Sequence, residues 1–203
     1  TVKEFAVEGE IAPDSLELLA HQKHPVGYQT IDKYLQREFL FPKNLTERVY
    51  LSQVLQSVGY KTAIESHRLK APRCMGTLYW QINDCWPVVS WSSIDYFGRW
   101  KALQYMAKRF FSPVLVSGVA GEGKVKVYGS NDLPEDKRCK LEWELQRFDG
   151  TQVKSGKKEV ILTANNSSLI ETLDLSEYVN EDPELTTYRK ESYRNRSKLF
   201  LSL

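Results

Sequence analysis

Apolar positions recur at helical spacing through the first 112 residues and alternate in steps of two after Pro113. Tyr28, Ile31, Leu35 and Phe39 form one stripe, which predicts a helix over residues 28–39, broken by Pro42. Asn44 reads as an N-cap with Glu47 at the third helical position, a capping-box pattern. The helix it opens carries Leu51, Val54, Leu55 and Val58 at core spacing and is expected to reach residue 69, before Pro72. Residues 74–81 are a short apolar run without strict alternation, as in a strand covered on both faces. Residues 82–98 contain proline, glycine, serine and asparagine and predict a loop. Residues 99–111 are helical again, with Trp100, Leu103, Ala107 and Phe110 inward, Lys101 and Lys108 towards solvent, and Pro113 as the stop.

Beyond Pro113, Val125 to Tyr128 and Leu141 to Leu145 alternate, and residues 152–162 and 169–175 are further strands. Asp149-Gly150 predicts a two-residue hairpin turn with positive φ at both positions. Short strands about ten residues apart imply a β-sandwich. The fold class is therefore α/β followed by all-β, with the change near residue 113. Thr1 to Ala6 reads as helix already under way, without a methionine. Residues 199–203 alternate like a half-buried strand that ends without a partner. Both ends predict a piece of a longer polypeptide, its sandwich truncated at the C-terminal end.

Charge narrows the function classes. The formal net charge of +2 gives no electrostatic case for nucleic acid or an anionic membrane. No apolar run is long enough to span a bilayer. The densest basic run, Arg189 to Lys198, is interrupted by Glu191 and predicts a solvated loop or strand. Cys74, Cys85 and Cys139 cannot all pair and lack CxxC spacing, so buried free thiols are expected. His21, His24 and His67 show no metal-ligand spacing, and nothing calls for a cofactor.

The candidate chemistry lies between Trp80 and Trp100, which hold four of the five tryptophans. Flat aromatic faces beside Gln81, Asn83 and Asp84 suit a sugar, whose C–H face packs on a ring while its hydroxyls bond amides and carboxylates. If residues 74–81 are a barrel strand, Trp80 and Gln81 sit at its C-terminal end, where such barrels place their sites. Asn83, Asp84 and Trp86 either line that mouth or only shape the loop. Trp91 and Trp100 read as packing. Glu4, Glu8 and Glu10 read as solvated carboxylates, and Glu65, near Lys61 and Arg68, as part of an ordinary helical charge pattern.

The run GTLYWQINDCWPVVSWSSIDYFGRWKALQYMAKRFFSPVLVS (residues 76–117) closely resembles the end of the catalytic barrel in β-mannosidases of glycoside hydrolase family 2. The resemblance extends upstream through His21-Gln22-Lys23 and Val49-Tyr50-Leu51 and fades after residue 132. Related exo-glucosaminidases share a tryptophan- and asparagine-rich element here, but Tyr79 to Asp84 followed by Trp86-Pro87 is more similar to the mannosidase version.

The resemblance implies the C-terminal part of a (β/α)8 TIM barrel over residues 1–112 and an immunoglobulin-like β-sandwich over residues 113–203. It implies a retaining exo-glycosidase that removes terminal non-reducing β-D-mannose. One carboxylic acid protonates the leaving oxygen, and a carboxylate roughly 5 Å away attacks the anomeric carbon. Neither carboxylate element is found in this sequence; the nucleophilic glutamate is expected upstream of Thr1, and the chain alone is expected to be inactive. Trp80 is implied as the floor of the subsite of the cleaved sugar, preceding a peptide that is often cis in such enzymes. His21 is in a position to orient the rim. The implied partners are a β-mannoside oligosaccharide and the remainder of the polypeptide, with homodimerisation open; the implied compartments are bacterial periplasm, secretion or lysosome. Two alternatives stand beside this reading: a family 2 enzyme for glucosamine, galactose or glucuronate, and a stand-alone carbohydrate-binding module using Trp80, Trp86 and Trp91.

Overall fold

A computed structural model describes residue 4, residues 15–178 and residues 199–203. It divides into two compact units, Thr1–Ile64 with Thr77–Phe110, and Glu65–Gly76 with Phe111–Leu203. The helix expected over residues 1–6 lies outside the described residues apart from Glu4, as do Glu8, Glu10 and the run Arg189 to Lys198.

The first unit is helical. It contains α1 (Leu16–Ala20), α2 (Gly27–Glu38), most of α3 (Leu45–Arg68) and α4 (Ala102–Phe110). The capping box at α3 forms with one change of partner. The Glu47 backbone N–H donates to Asn44 Oδ1 at 2.9 Å, while the Glu47 carboxylate reaches past the cap to the Lys43 N–H at 2.8 Å. Arg48, one turn later, joins α3 to α2: its guanidinium grips both oxygens of Asp32 at 2.8 and 2.7 Å and lies over the Tyr28 ring. Burial pushes the Tyr28 phenol up to about 12, so it stays neutral under that cation. Ile64, Leu103, Ala107 and Phe110 form the buried cluster, with Tyr60, Tyr79 and Met106 against it.

Four expectations are corrected. Residues 74–81 pair with no strand among the described residues, and Leu78 is fully exposed. A strand needs a neighbour for its N–H and C=O groups, and here only isolated bridges form: Gln22 to Val89, Asn83 to Ile94 and Ile94 to Trp100. Trp100 is about half exposed, because it stands on that last bridge before α4 begins; the inward stripe starts at Leu103. On α3, Leu51, Val54 and Leu55 are only half-buried and Val58 is exposed; Arg48, Ser57, Ile64 and Glu65 are the buried positions. None of the thiols is buried: Cys85 is exposed and the other two are intermediate.

The second unit contains two three-stranded sheets. One has the order β1-β2-β5, from Val114–Gly121, Lys124–Asn131 and Asn166–Asp174; the other is β4-β3-β6, from Gln152–Leu162, Lys137–Arg147 and Leu199–Ser202. Period-two alternation turns Val125, Val127, Leu141, Leu145, Leu173 and Leu175 into one core. The strand at 199–203 does find a partner, pairing antiparallel with β3. The two-residue turn with positive φ throughout is at Glu122-Gly123, between β1 and β2. Between β3 and β4 only Gly150 has positive φ; the Gly150 N–H bonds Arg147 O, and Thr151 N–H bonds Asp149 Oδ1. That is a type I turn closed by a left-handed glycine, a longer connection than the predicted one.

Residues 65–76 group with this unit, not with the helices before them. Arg68 explains the grouping, since it donates to Ser112 O at 2.7 Å and pairs with Asp132 at 2.9 Å. Asn131 is fully buried, donates to Glu135 O and Leu162 O, and accepts from the Leu133 N–H. All its valences are used, as burial requires.

Replacing Asn44 with alanine removes the cap acceptor and is expected to cost about 1 kcal/mol of local helix stability. Amide exchange at Thr46 to Arg48 should then quicken about fivefold. Unchanged exchange there would show that the Glu47 carboxylate holds the helix start by itself.

Candidate saccharide-binding loop

Trp80 is fixed from both sides while its ring is left open. On the N-terminal side, Tyr79 OH meets Ser93 Oγ at 2.9 Å, and the Tyr79 ring stands edge-on to Tyr60 on α3. Burial, with Tyr79 beside it, raises the Tyr60 phenol above its ordinary value, so it remains a donor; it reaches Trp80 O at 3.5 Å. On the C-terminal side, Ile82 O accepts from Ser93 N, Ile94 N and Ser93 Oγ. The Trp80–Gln81 peptide is cis. The Trp80 side chain emerges from this frame 72% exposed.

The other candidates divide. Gln81 is half-buried and donates to Asn83 O at 2.7 Å, which folds the chain back beside Trp80. Asn83 is exposed, with its amide on Asp84 O. Asp84 points inward: its residue is 4% exposed, and its oxygens accept from Ser90 Oγ and Ser92 Oγ, both at 2.6 Å, and from Lys101 Nζ at 3.1 Å. Of the two roles open for Asp84, these partners fit loop shaping. Trp86 is half-buried against the His21 ring, with centroids 5.1 Å apart. Trp91 is half-buried, and its carbonyl accepts from Gln56 of α3.

His21 Nδ1 donates to Pro87 O at 2.5 Å, since a carbonyl can only accept. Val89 N–H donates to His21 O and Lys23 N–H to Val89 O, so His21-Gln22-Lys23 clamps the loop at residues 87–89. Asp95 is buried and caps the next turn, its Oδ1 accepting from Phe97 N–H and Arg99 N–H. Glu4 pairs with Arg99 at 2.6 Å, which holds its carboxyl below the usual range.

Lys101 corrects the expectation of a solvent-facing lysine. Its side chain is 14% exposed and bonds Ser92 Oγ at 2.7 Å besides Asp84. Lys101 falls before α4, so helical periodicity misplaces it. The available signal was the run Ser90, Ser92, Ser93 beside Asp84: a buried carboxylate among hydroxyls calls for a cation. Tyr60, which braces Trp80, carried no signal beyond its apolar character, and Tyr79 was marked only as the start of the run that resembles the mannosidases.

Four similarities to known proteins place this arrangement. Residues 123–203 match the Mannosidase Ig/CBM-like domain family. The chain is 30% identical to a β-mannosidase of Mus musculus over 91% of its own length and 25% of the relative's. The crystal structure of a β-D-mannosidase from Dictyoglomus thermophilum superimposes with a TM-score of 0.78 at 35% identity, over 84% of this chain and 21% of that one. An exo-chitosanase from Amycolatopsis orientalis shares the fold at 20% identity and a TM-score of 0.64, over 72% of this chain and 18% of its own. The mannosidase matches define a class, the glycoside hydrolases. Residues 123–203 belong to the Mannosidase Ig/CBM-like domain family, the chain as a whole is similar to β-mannosidases, and it spans about a quarter of the length of the curated relatives it matches. The all-β unit fits the immunoglobulin-like domain of such proteins.

Asp84→Ala should cost about 3 kcal/mol in denaturant unfolding, because it strands Lys101 and two serine hydroxyls. Adding Lys101→Met should recover part of that loss, as groups in one network are not additive. A loss in the double variant equal to the sum of the Asp84→Ala and Lys101→Met losses would mean that the pair is not coupled.

Proposed function

We propose that this chain supplies one wall of the substrate site, and the β-sandwich that follows, in a retaining exo-β-mannosidase of glycoside hydrolase family 2. The reading rests on one observation above the others: the Trp80 ring is open while the backbone on both sides of it is held by buried partners. A fixed, open ring is a preorganised platform for the C–H face of a terminal mannose, which lowers the ordering cost of binding. Gln81, Asn83 and the exposed part of Trp86 bond or border its hydroxyls, and Asp84 contributes by holding the loop that carries them. In this proposal residues 1–112 belong to the closing part of a (β/α)8 barrel, whose other strands pair with residues 74–81 and cover Leu78.

Binding and orientation are the roles assigned to these residues. Bond breaking needs a carboxylic acid at the glycosidic oxygen and a carboxylate at the anomeric carbon, which forms a glycosyl-enzyme that water then cleaves. Asp84 and Asp95 are occupied as loop anchor and turn cap, and Glu4 is paired with Arg99. The sequence lacks both carboxylate elements of the family it resembles, so the nucleophile and the acid/base are assigned to other parts of the polypeptide. The substrate is a β-mannoside oligosaccharide entered from its non-reducing end.

Trp80→Ala in the full enzyme should lower kcat/KM for a nitrophenyl β-mannoside by about a hundredfold, the scale on which misplaced substrate costs rate, with the melting temperature nearly unchanged. Normal turnover per folded molecule would refute the platform. Residues 1–203 alone should release no nitrophenol above the uncatalysed rate, because each missing carboxylate is worth roughly 10²–10⁴-fold; detectable enzymatic hydrolysis would place a catalytic carboxylate inside the chain.

A further inference from the structure

Three side chains on one face of α3 meet backbone groups of the Trp80 loop. Gln53, Gln56 and Tyr60 are spaced three and then four residues apart, so they lie in one row along the helix. The row covers about 10 Å at the helical rise. Gln53 Oε1 accepts from the Ala102 N–H at 3.0 Å. Gln56 Nε2 donates to Trp91 O at 2.7 Å. The Tyr60 hydroxyl reaches Trp80 O at 3.5 Å, the long end of the hydrogen-bond range. These residues and their partners all belong to the first unit.

The anchored positions bracket the part of the loop that holds the platform. Trp91 and Ala102 stand at the two ends of the segment that contains Ser92, Ser93 and Lys101. Ser93 is fully buried and ties that segment to both sides of Trp80. Its N–H donates to Ile82 O at 3.0 Å, its hydroxyl meets Tyr79 OH at 2.9 Å, and its carbonyl accepts from the Lys101 N–H at 2.9 Å. A shift of the segment along α3 is therefore passed to the residues before and after Trp80. Ser57 and Ile64, on the same face of α3, are buried, which fixes the helix against the unit.

The two glutamines face opposite chemistry. At Gln53 the loop presents an N–H at the start of α4, where the first donors have no partner within their helix. At Gln56 it presents a carbonyl. Apolar side chains could cover α3 equally well, but burial has no direction and would not fix the register of the loop along the helix. Directed bonds to set backbone atoms do. We propose that Gln56, together with Gln53, is a positioning residue for the saccharide site: it sets the Trp80 ring from α3 without touching the sugar. The proposal rests on the reading of Trp80 as the platform.

The test is a reciprocal exchange in the full enzyme, with kcat/KM for a nitrophenyl β-mannoside taken per folded molecule. Lysine keeps a donor at position 56 and loses the acceptor needed at position 53; glutamate does the reverse. Gln56→Glu and Gln53→Lys should each lower kcat/KM by about tenfold, a part of the roughly hundredfold cost of a misplaced substrate. Gln56→Lys and Gln53→Glu should retain most of the turnover. In a Trp80→Ala background, Gln56→Glu should cost less than about twofold more, because residues that act through one group are not additive. The positions are independent, so a variant that fails to fold at one leaves the exchange at the other to decide. Impaired Trp80→Ala beside unaffected Gln56→Glu overturns this proposal alone, as does equal turnover of the glutamate and lysine variants at either position, or a full loss from Gln56→Glu on top of Trp80→Ala. Normal turnover of Trp80→Ala itself overturns the platform and this proposal with it.

Discussion

The Asp84 carboxylate is the constraint from which the first unit's loop is built. A charge removed from water is tolerated only when a counter-ion and hydrogen bonds replace its hydration. Asp84 obtains these from Lys101 and from two serine hydroxyls of its own loop. Meeting that demand brings Ser90 and Ser92 back onto Asp84 and fixes the residue that precedes α4. Ser93, next in the chain, is then placed to bond Ile82 O and Tyr79 OH. The carboxylate thus acts at a distance on Trp80, which touches none of these groups directly.

Much of the helical frame was legible in the sequence, because the signals were local. Asn44 and Glu47 marked the start of α3, and Pro113 lay just beyond the end of α4. The sandwich strands followed from alternation, with the 152–162 segment recovered as β4. What was not legible depends on partners distant in sequence. Whether residues 74–81 pair is decided by neighbouring strands, so an apolar run alone misjudges the exposure of Leu78. Lys101 faces inward because Asp84, seventeen residues earlier, requires it. The β3–β4 connection shows the same limit on a smaller scale: Asp149-Gly150 signalled a turn, but its length depended on whether one or both residues took positive φ.

The candidate site was legible as residue types and not as roles. Trp80 was singled out by tryptophan density and by its resemblance to a barrel terminus, and the fold leaves it open. Asn83 and Asp84 are adjacent and chemically similar, yet one is exposed and the other buried. His21 acquires a definite contact through Trp86 and Pro87, sixty-odd residues away. In the sandwich, the corresponding relation is between Trp143 and Gly156: an absent side chain determines where an aromatic ring can lie.

The division of the Trp80 loop into anchored and open positions has an evolutionary consequence. Asp84, Ser92 and Lys101 satisfy one another, so a change at any of them leaves a buried group without its complement, and drift there is restrained. Asn83 and the Trp80 ring bear no such obligation. The exposed side chains can be exchanged on an unaltered scaffold without stranding a buried group. The salt-linked interior makes the rim free to diversify.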